Sequence, residues 1–235
     1  MKKSKIAVLV AMVVVLAFSL AACGGSDKSS SDKTVYKVGT EPTFPPFDTT
    51  DEDQNIVGLD MDLIKAIGED QGFDVEFENL SFDGLIPALK AGNIDIVAAG
   101  MNKDDEDRQK EVDFSDSYYE SKLFVAVTED NTTIKSVEDL TPDMKVAAQT
   151  GTTGASKVQE LKDAGKIKEA VILDGLDTCM MKLINGDVSA VINDKPVTEA
   201  YMKKQPDKIK MVGEALNAEN YGFAVQKGNT ELVEK

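Results

Sequence analysis

The fold is decided by a unit that occurs twice, in which the end of a helix is followed at once by a buried strand. It reads Ala91-Gly92-Asn93-Ile94-Asp95-Ile96-Val97 in the first half of the chain and Asn185-Gly186-Asp187-Val188-Ser189-Ala190-Val191 in the second. A glycine after a helix ends it in a left-handed turn, and the apolar residues that follow are typical of a strand. Two copies of this unit predict two similar α/β lobes.

Strand and helix patterns alternate around the first unit. They predict strands over Val35–Gly39, Val75–Leu80 and Ile94–Ala99, with helices near Asp60–Ile67 and over Gly84–Ala91. A β-α-β-α-β order is typical of a parallel sheet with helices on both faces. Ligands bind such sheets beyond the carboxyl ends of the strands.

A second series of strands and helices surrounds the second unit. Its segments are Leu123–Val127, a short helix after Ser136, Lys145–Ala148, a helix through Val158–Leu161, Val171–Leu173, a helix ending at Ile184, and Ala190–Ile192. We therefore predict an α/β fold with lobe 1 over 34–117 and lobe 2 over 118–220, each a mostly parallel sheet flanked by helices. The chain crosses between the lobes twice, and 221–235 returns to lobe 1, so the crossings form a hinge.

Composition excludes several classes of function. The 235 residues carry 26 basic and 42 acidic side chains, a net charge of −16, and contain no histidine. This negative field repels phosphate backbones, so we expect no nucleic-acid partner. Catalysis by Ser-His-Asp or Cys-His groups and histidine-based zinc sites are excluded because imidazole is missing. We predict no catalytic residue, no cofactor and no metal.

The start of the chain predicts export. Lysines precede the apolar run Ile6–Leu20, which is too short for a stable spanning helix and is typical of a signal peptide over 1–22. The run ends in Leu20-Ala21-Ala22-Cys23, which resembles the lipobox of bacterial lipoproteins and implies lipid on Cys23; a chance small-small-Cys is the alternative. Residues 23–33 predict a flexible linker. We expect a lipid-anchored protein at the extracellular face of the cell membrane, or on the periplasmic side where an outer membrane exists.

Four segments, in this order, resemble the polar amino-acid-binding proteins of ABC importers, the bacterial extracellular solute-binding proteins of family 3. They are Gly39–Phe47, Gly58–Leu63, Phe82–Leu89 and Asp113–Tyr119. The resemblance implies the two-lobed periplasmic-binding-protein type II fold, a hinged trap that closes on one free amino acid. It also implies a monomer whose partners are that amino acid, the ABC permease subunits and, through the lipid anchor, the membrane.

Three residues are expected to hold the charged groups of the amino acid. In the family, an arginine upstream of the Asp-Phe-Ser segment holds the α-carboxylate, and Arg108 stands at that distance from Asp113. As the only arginine, it also supplies the one planar fork of donors for a bidentate contact, with a surface arginine as the alternative. The resemblance implies that Asp194 accepts the ligand ammonium and that Gly100 adds a backbone carbonyl; for Asp194, a plain strand-end residue is the alternative.

Other contacts come from a loop and two aromatic side chains. The loop Thr150–Gly154 joins a strand to a helix, and the resemblance implies that Thr152 and Thr153 meet the same carboxylate from lobe 2, with an ordinary turn as the alternative. Phe44 and Phe82 match two aromatic residues that sandwich the aliphatic stem of the ligand. Aromatic side chains after buried strands also commonly belong to the core, which is the alternative for both.

The chain departs from the family pattern in two places that bear on specificity. Between Gly100 and Arg108 it is one residue longer than usual, with Asn102 where Ser or Thr is common, so the register of this loop stays open. Glu41 stands where many relatives have Asp, and Gln149 where some amide-specific relatives have Lys. The pocket gains no cation, so we expect a glutamine-like or cationic amino acid rather than Glu or Asp.

Other classes of function stay open. An enzyme for small carboxylates would use Glu41 or Asp194 as acid or base, and turnover of a bound ligand would reveal it. A sensor would need a further membrane span, which residues 23–235 do not predict, and an adhesin would bind a host protein. Thr230-Glu231-Leu232 is typical of the first turn of a helix that relatives continue, so we expect the chain to be truncated there.

Overall fold

The structure, a computed structural model, describes residues 33–235. The predicted signal peptide, the lipidated Cys23 and the linker up to residue 32 lie outside the described residues. Within the described range, no helix is long and apolar enough to cross a membrane.

Strands and helices alternate along the described chain, as the sequence patterns predict. The strands are β1 Thr34–Thr40, β2 Thr49–Thr50, β3 Ile56–Val57, β4 Phe73–Asn79, β5 Ile96–Val97, β6 Val112–Phe114, β7 Tyr119–Ser121, β8 Leu123–Thr128, β9 Lys145–Gln149, β10 Glu169–Leu173, β11 Ala190–Asp194, β12 Ile209–Val212, β13 Glu219–Tyr221 and β14 Ala224–Gln226. The helices are α1 Leu59–Gln71, α2 Phe82–Lys90, α3 Glu106–Glu111, α4 Thr153–Asp163, α5 Leu176–Ile184, α6 Lys195–Lys204 and α7 Thr230–Val233, with a 3₁₀ turn at Val137–Asp139.

Each lobe is built on a five-stranded sheet. The first sheet has the order β4-β1-β5-β14-β6, and the second has the order β10-β9-β11-β8-β12. In both sheets the first three strands are parallel, joined by helical crossovers, and the last two run antiparallel to their neighbours. The prediction of two α/β lobes with mostly parallel sheets is confirmed, and each sheet is mixed because one strand, β14 or β8, runs opposite to the others.

The antiparallel strands have a physical cause in the two crossings. The crossing strands β7 and β13 pair with each other, and β8 and β14 follow them directly. The parallel strands of each lobe end at the face where the lobes meet. The last residues of three of these strands are Thr40, Gln149 and Asp194. A strand that starts from a crossing begins at that same face, so it must run away from it and therefore opposite to the others.

The repeated unit folds as predicted in both lobes. Gly92 and Gly186 follow α2 and α5 with φ of 73° and 77°, the left-handed turn that glycine adopts without strain. The strands that follow are central ones: β5 lies between β1 and β14, and β11 lies between β9 and β8. The second strand of the pair is the longer, since β5 keeps only two of the six residues that the apolar run Ile94–Ala99 predicts.

Each lobe has its own apolar core, and a further cluster joins them. In lobe 1, Leu85 and Leu89 of α2 pack against Val97, while in lobe 2, Val158 of α4 packs against Val146. A separate cluster places aromatic residues of lobe 1, Phe44 and Phe47, with apolar residues of α5 and with Tyr221 from the second crossing. The lobes therefore contact each other through buried side chains near the hinge.

Candidate functional site

A cavity lies between the lobes where the parallel strands end. It measures about 260 Å³, including the part that opens to solvent. Its lining combines strand ends, loops and helix starts from both lobes: Phe44, Phe82, Gly100, Asn102, Arg108, Gln149, Thr152, Thr153, Asp194 and Glu219. Nine of the ten residues proposed from the sequence are in this lining, and the tenth, Glu41, contacts Gln149.

Arg108 brings a half-buried positive charge to the cavity. It lies on α3, a short helix that Asp105 caps by accepting from the backbone N–H groups of Asp107 and Arg108. Its guanidinium donates to the carbonyl of Asn102 at 3.1 Å and, across the cleft, to that of Gly151 at 2.9 Å. Burial lowers the pKa of this guanidinium, yet an arginine stays charged because its ordinary pKa is far above neutrality.

The start of α4 lies on the opposite side of the cavity. Thr152 is the N-cap residue, and its hydroxyl accepts from the backbone N–H of Ala155 at 3.1 Å and donates to the carbonyl of Gln149 at 2.7 Å. Thr153 is the first helical residue, so the free N–H groups of this turn and the positive end of the helix dipole lie beside the cavity. An anionic group between Arg108 and this turn would find donors from both lobes.

Asp194 supplies a buried carboxylate at the end of β11. Its Oδ1 accepts from the hydroxyl of Tyr221 at 2.5 Å and from that of Ser121 at 2.9 Å, both on the crossing strands. Burial raises the pKa of this carboxyl to about 8, and the neighbouring carboxyl of Glu219 adds to the rise. A cationic group bound here would offset the cost of burying the charge.

Aromatic rings bound the cavity on the lobe 1 side. The guanidinium of Arg108 lies 5.4 Å from the ring centroid of Phe82, which is a cation–π distance. Phe44 packs over Gly100, where a Cβ would come within 2.7 Å of its ring, and φ of 52° also favours glycine there. Phe44 is only 7% exposed, so it belongs to the junction core and lines the cavity at once.

Glu41 and Gln149 join the lobes at the other end of the cavity. The Gln149 amide donates to Glu41 Oε2 at 2.8 Å and to the carbonyl of Asp174 at 2.9 Å. The Thr43 hydroxyl also lies within hydrogen-bonding distance of both oxygens of Glu41. Burial raises the pKa of the Glu41 carboxyl, while these donors oppose the rise. The pair lies beside the cavity as a polar wall that contains a carboxylate.

The longer loop after Gly100 has a defined course. Asn102 bridges to Tyr221 on the second crossing, and its side-chain oxygen accepts from the N–H of Asp104 at 3.0 Å. Arg108 lies on α3 after this loop and lines the cavity. The amide oxygen of Asn102 is thus used within its own loop.

Three residues of the crossing strands belong to the site although the sequence analysis did not propose them. Glu219 lines the cavity, and Ser121 and Tyr221 hold Asp194. In the antiparallel pair Glu219 lies opposite Ser121, so these side chains share one face of the two-stranded ladder. Glu219 and Tyr221 are two residues apart and both buried, which is the pattern of one face of a strand. The strand has only three residues, so this pattern could not be distinguished from a loop in the sequence.

A larger open depression and a buried thiol were also considered as sites. The depression, of about 800 Å³, lies on the outer side of Arg108 and is lined by acidic residues such as Asp83 and Asp107. Its carboxyl groups are exposed or half-buried, whereas those of Asp194 and Glu219 in the inner cavity are buried. Cys179 lies in the junction core, and burial raises the pKa of its thiol to about 12, as expected for an inert cysteine. Among residues 33–235 no cluster of acids or cysteine suits a metal ion.

The sequence matches known proteins along most of its length. A family profile described as "Bacterial extracellular solute-binding proteins, family 3" matches residues 36–235. The chain is 34% identical over 226 residues to a probable histidine-binding protein of Neisseria gonorrhoeae, covering 92% of this chain and 82% of that protein. It is also 34% identical over 241 residues to the putative ABC transporter arginine-binding protein 2 of Escherichia coli strain K12, covering 100% and 90%.

Solved structures agree with these sequence matches. An ancestral arginine-binding protein bound to arginine superposes with a TM-score of 0.81 at 43% identity, covering 86% of this chain and 88% of that chain. All three relatives are named as binding proteins for amino acids. This chain belongs to the bacterial extracellular solute-binding proteins of family 3, as its sequence motifs predicted.

Proposed function

We propose that this protein binds one free amino acid, prefers a cationic one such as arginine, and delivers it to the permease subunits of an ABC importer. The observation that carries the proposal is the imbalance of charge around the cavity. One guanidinium, Arg108, faces two lining carboxyls, Asp194 and Glu219, with a third carboxyl, Glu41, held behind Gln149. A ligand that brings a net positive charge offsets this imbalance best.

The main-chain groups of an amino acid fit the two ends of this arrangement. The α-carboxylate would bind between Arg108 and the first turn of α4, where Thr152 and Thr153 lie. The ammonium would bind Asp194, whose Oδ1 the hydroxyls of Ser121 and Tyr221 already orient. Buried charges need such partners because leaving water is costly for each of them.

The side chain of the ligand would extend toward Glu41. A guanidinium or ammonium there would pair with the carboxylate, whereas a second carboxylate would be repelled and a neutral amide would gain only hydrogen bonds. The names of the relatives support this order, since they include arginine-binding and histidine-binding proteins. A glutamine-like ligand is therefore the weaker candidate.

Transport is the role that the same relatives support. One of them is named as part of an ABC transporter, and none of the three is named as an enzyme. We propose that residues 34–117 and 118–220 close as lobes over the amino acid, and that the monomer stays at the membrane through lipid on Cys23. The lipobox-like sequence before Cys23 is the basis of that last proposal.

Calorimetric titration of the protein with single amino acids tests the specificity. The protein is unfolded and refolded first, so that any ligand carried from the cell is removed. We expect arginine to bind with a Kd at least about tenfold below that of glutamine, a difference of about 1.4 kcal/mol, and glutamate to bind most weakly.

The carboxylate of Glu41 supplies an internal check. Glu41→Gln should remove most of the advantage of arginine over glutamine, whereas Glu52→Gln, the same change at an exposed position of the same lobe, should keep it. Glutamate binding more tightly than both arginine and glutamine would contradict the proposal.

A further inference from the structure

Glu219 is a second buried acid beside Asp194, at the point where the chain returns from lobe 2. It is 2% exposed and lines the cavity together with Asp194. Its Oε1 accepts from the side-chain amide of Asn217 at 2.6 Å, and it lies opposite Ser121, whose hydroxyl donates to Asp194 at 2.9 Å. The binding role proposed for Asp194 leaves this neighbour unexplained.

Asp194 and Glu219 are both buried beside the same cavity. Burial, together with the charge of Glu219, raises the pKa of Asp194 to about 8, so Asp194 retains a proton at neutral pH until a positive charge arrives. Arg108 is the one basic residue in the lining, and its guanidinium already donates to the carbonyls of Asn102 and Gly151. The positive charge that completes the pair must therefore come from what binds.

We propose that Glu219 and Asp194 together receive the ammonium group of the amino acid, and that the proton held by Asp194 leaves to the solvent as the ligand binds. Charge balances, because one proton leaves where one ammonium enters. The proposal rests on the proposed function, since it assumes an amino acid in this cavity. It makes Glu219 a binding residue that couples affinity to pH.

Few other charged groups face the acid pair. Tyr221, on the same crossing strand as Glu219, donates to Asp194. Asp105 caps α3 and Arg108 lies on it; burial lowers the pKa of the guanidinium, and the charges of Asp105, Glu219 and Asp194 oppose that lowering. Lys195, which follows Asp194, is turned outward to Glu199 at 3.7 Å. Glu41, at the far end of the cavity, titrates as well, but it is unchanged in every variant used below.

The test compares the parent protein with Glu219→Gln by calorimetric titration of L-arginine at pH 6 and pH 8, in buffers with different ionisation enthalpies. We expect the parent to release about one proton per arginine at neutral pH, since Asp194 holds a proton below its raised pKa. Glu219→Gln should release less than half of that, because removing the charge of Glu219 lowers the pKa of Asp194 toward its ordinary value. The ratio of the variant Kd to the parent Kd should fall several-fold from pH 8 to pH 6, because the parent loses more affinity than the variant as Asp194 becomes protonated.

A ligand analogue and a matched variant complete the design. With 5-guanidinopentanoic acid, which keeps the guanidinium and the carboxylate but lacks the ammonium, Glu219→Gln should bind as well as the parent. Glu214→Gln, the same change at an exposed position shortly before the crossing, should behave as the parent throughout.

Different failures point to different errors. A loss of affinity that is equal at both pH values, an unchanged proton count, or an equal loss for the analogue would overturn the role of Glu219 while leaving amino-acid binding intact. A parent protein that binds no amino acid at all would overturn the proposed function and this inference with it.

Discussion

Arg108 differs in its side-chain chemistry from every other residue of the candidate site. The protein has 26 basic residues, but only this one is an arginine, and the structure places it half-buried between the lobes. Two of its N–H groups donate to carbonyls, one in each lobe, which fixes the plane of the guanidinium. A lysine would keep the charge but not the planar fork that suits a carboxylate.

Replacing Arg108 should therefore abolish most ligand affinity while the fold persists. Arg108→Ala leaves the ligand carboxylate without its partner, a loss of about 3–5 kcal/mol, or roughly a hundredfold to several thousandfold in Kd. Arg108→Lys should recover little of this loss. Calorimetric titration with arginine measures the Kd values, and circular dichroism checks the fold. Lys110→Ala removes a charge from the exposed side of the same helix and should change Kd little.

Binding by Arg108→Ala within about threefold of the parent, a change of roughly 0.7 kcal/mol, would remove Arg108 from the site. At the scale of single residues, the sequence could predict Arg108 and Asp194 because ordered motifs fix their place in the chain. It could not predict Glu219, because an acid among 42 becomes special only when a crossing strand turns it inward beside Asp194.

At the scale of elements, helix ends were predictable and strand directions were not. The glycines after α2 and α5 predict the left-handed turns that the structure has there. The direction of β8 and β14 depends on where the chain enters each sheet, which is a property of the crossings rather than of the strand sequence. Apolar runs look the same whichever way their strand will point.

Several elements of lobe 1 meet at a buried pair of acids, Asp48 and Asp60. Asp60, on α1, accepts from the N–H of Gly100 and from the hydroxyl of Tyr118, both at 2.8 Å, and Thr40 donates to Asp48 at 2.8 Å. One oxygen of each acid, Oδ1, is buried without a hydrogen-bond partner. We expect a proton shared between the two acids to satisfy both oxygens, and the hydrogen bond from Gly100 joins Asp60 to the lining of the cavity.

This pair should make stability fall as pH rises. Burial raises the pKa of Asp60 to about 6 and that of Asp48 well above its usual range, with the charge of Asp60 adding to the latter. The stability that the retained proton contributes is complete below the unfolded pKa near 4 and is lost as pH passes through the raised values, by about 1.4 kcal/mol per pH unit and proton. Urea unfolding between pH 4 and pH 8 measures this slope.

Asp48→Asn separates this pair from the other buried acids, Glu41 and Asp194, whose raised pKa values act in the same direction. The new amide oxygen can accept from Thr40 while its N–H groups donate to Asp60 at every pH, so we expect a flatter slope than in the parent. Asp62→Asn, an exposed change on α1, the helix that carries Asp60, should keep the parental slope. Equal slopes for Asp48→Asn and the parent would show that no proton is shared.

At the scale of the whole molecule, the lobes meet through a few polar contacts around the cavity. Gln149 donates to Glu41, Arg108 donates to the carbonyl of Gly151, and the Tyr201 hydroxyl donates to the carbonyl of Thr43 at 3.0 Å. These contacts join residues that are far apart in the sequence, so they depend on how the lobes face each other. Sequence motifs predicted most members of the site, whereas the contacts between lobes appear only in the assembled molecule.

Gly151 lies where the two lobes approach each other closely. It follows β9 with φ of 73°, and a Cβ added to it would lie 2.9 Å from the Cβ of Asp83, on α2 of the opposite lobe. Two carbon atoms less than 3 Å apart overlap, so the added Cβ and Asp83 must move away from each other. Gly151→Ala should therefore hold the lobes apart and weaken arginine binding by at least about tenfold. Small-angle scattering with saturating arginine should then show less contraction than in the parent.

Gly165→Ala isolates the effect of the lobe contact from that of backbone strain. Gly165 has a similar φ of 68°, but no atom lies within 4 Å of its added Cβ. Both variants should lose about 1–2 kcal/mol of stability to the left-handed backbone, as urea unfolding would show, because an L side chain disfavours that conformation. Only Gly151→Ala should also lose affinity and contraction. Equal affinities for the two variants would mean that α2 and the start of α4 do not close on each other when the amino acid binds.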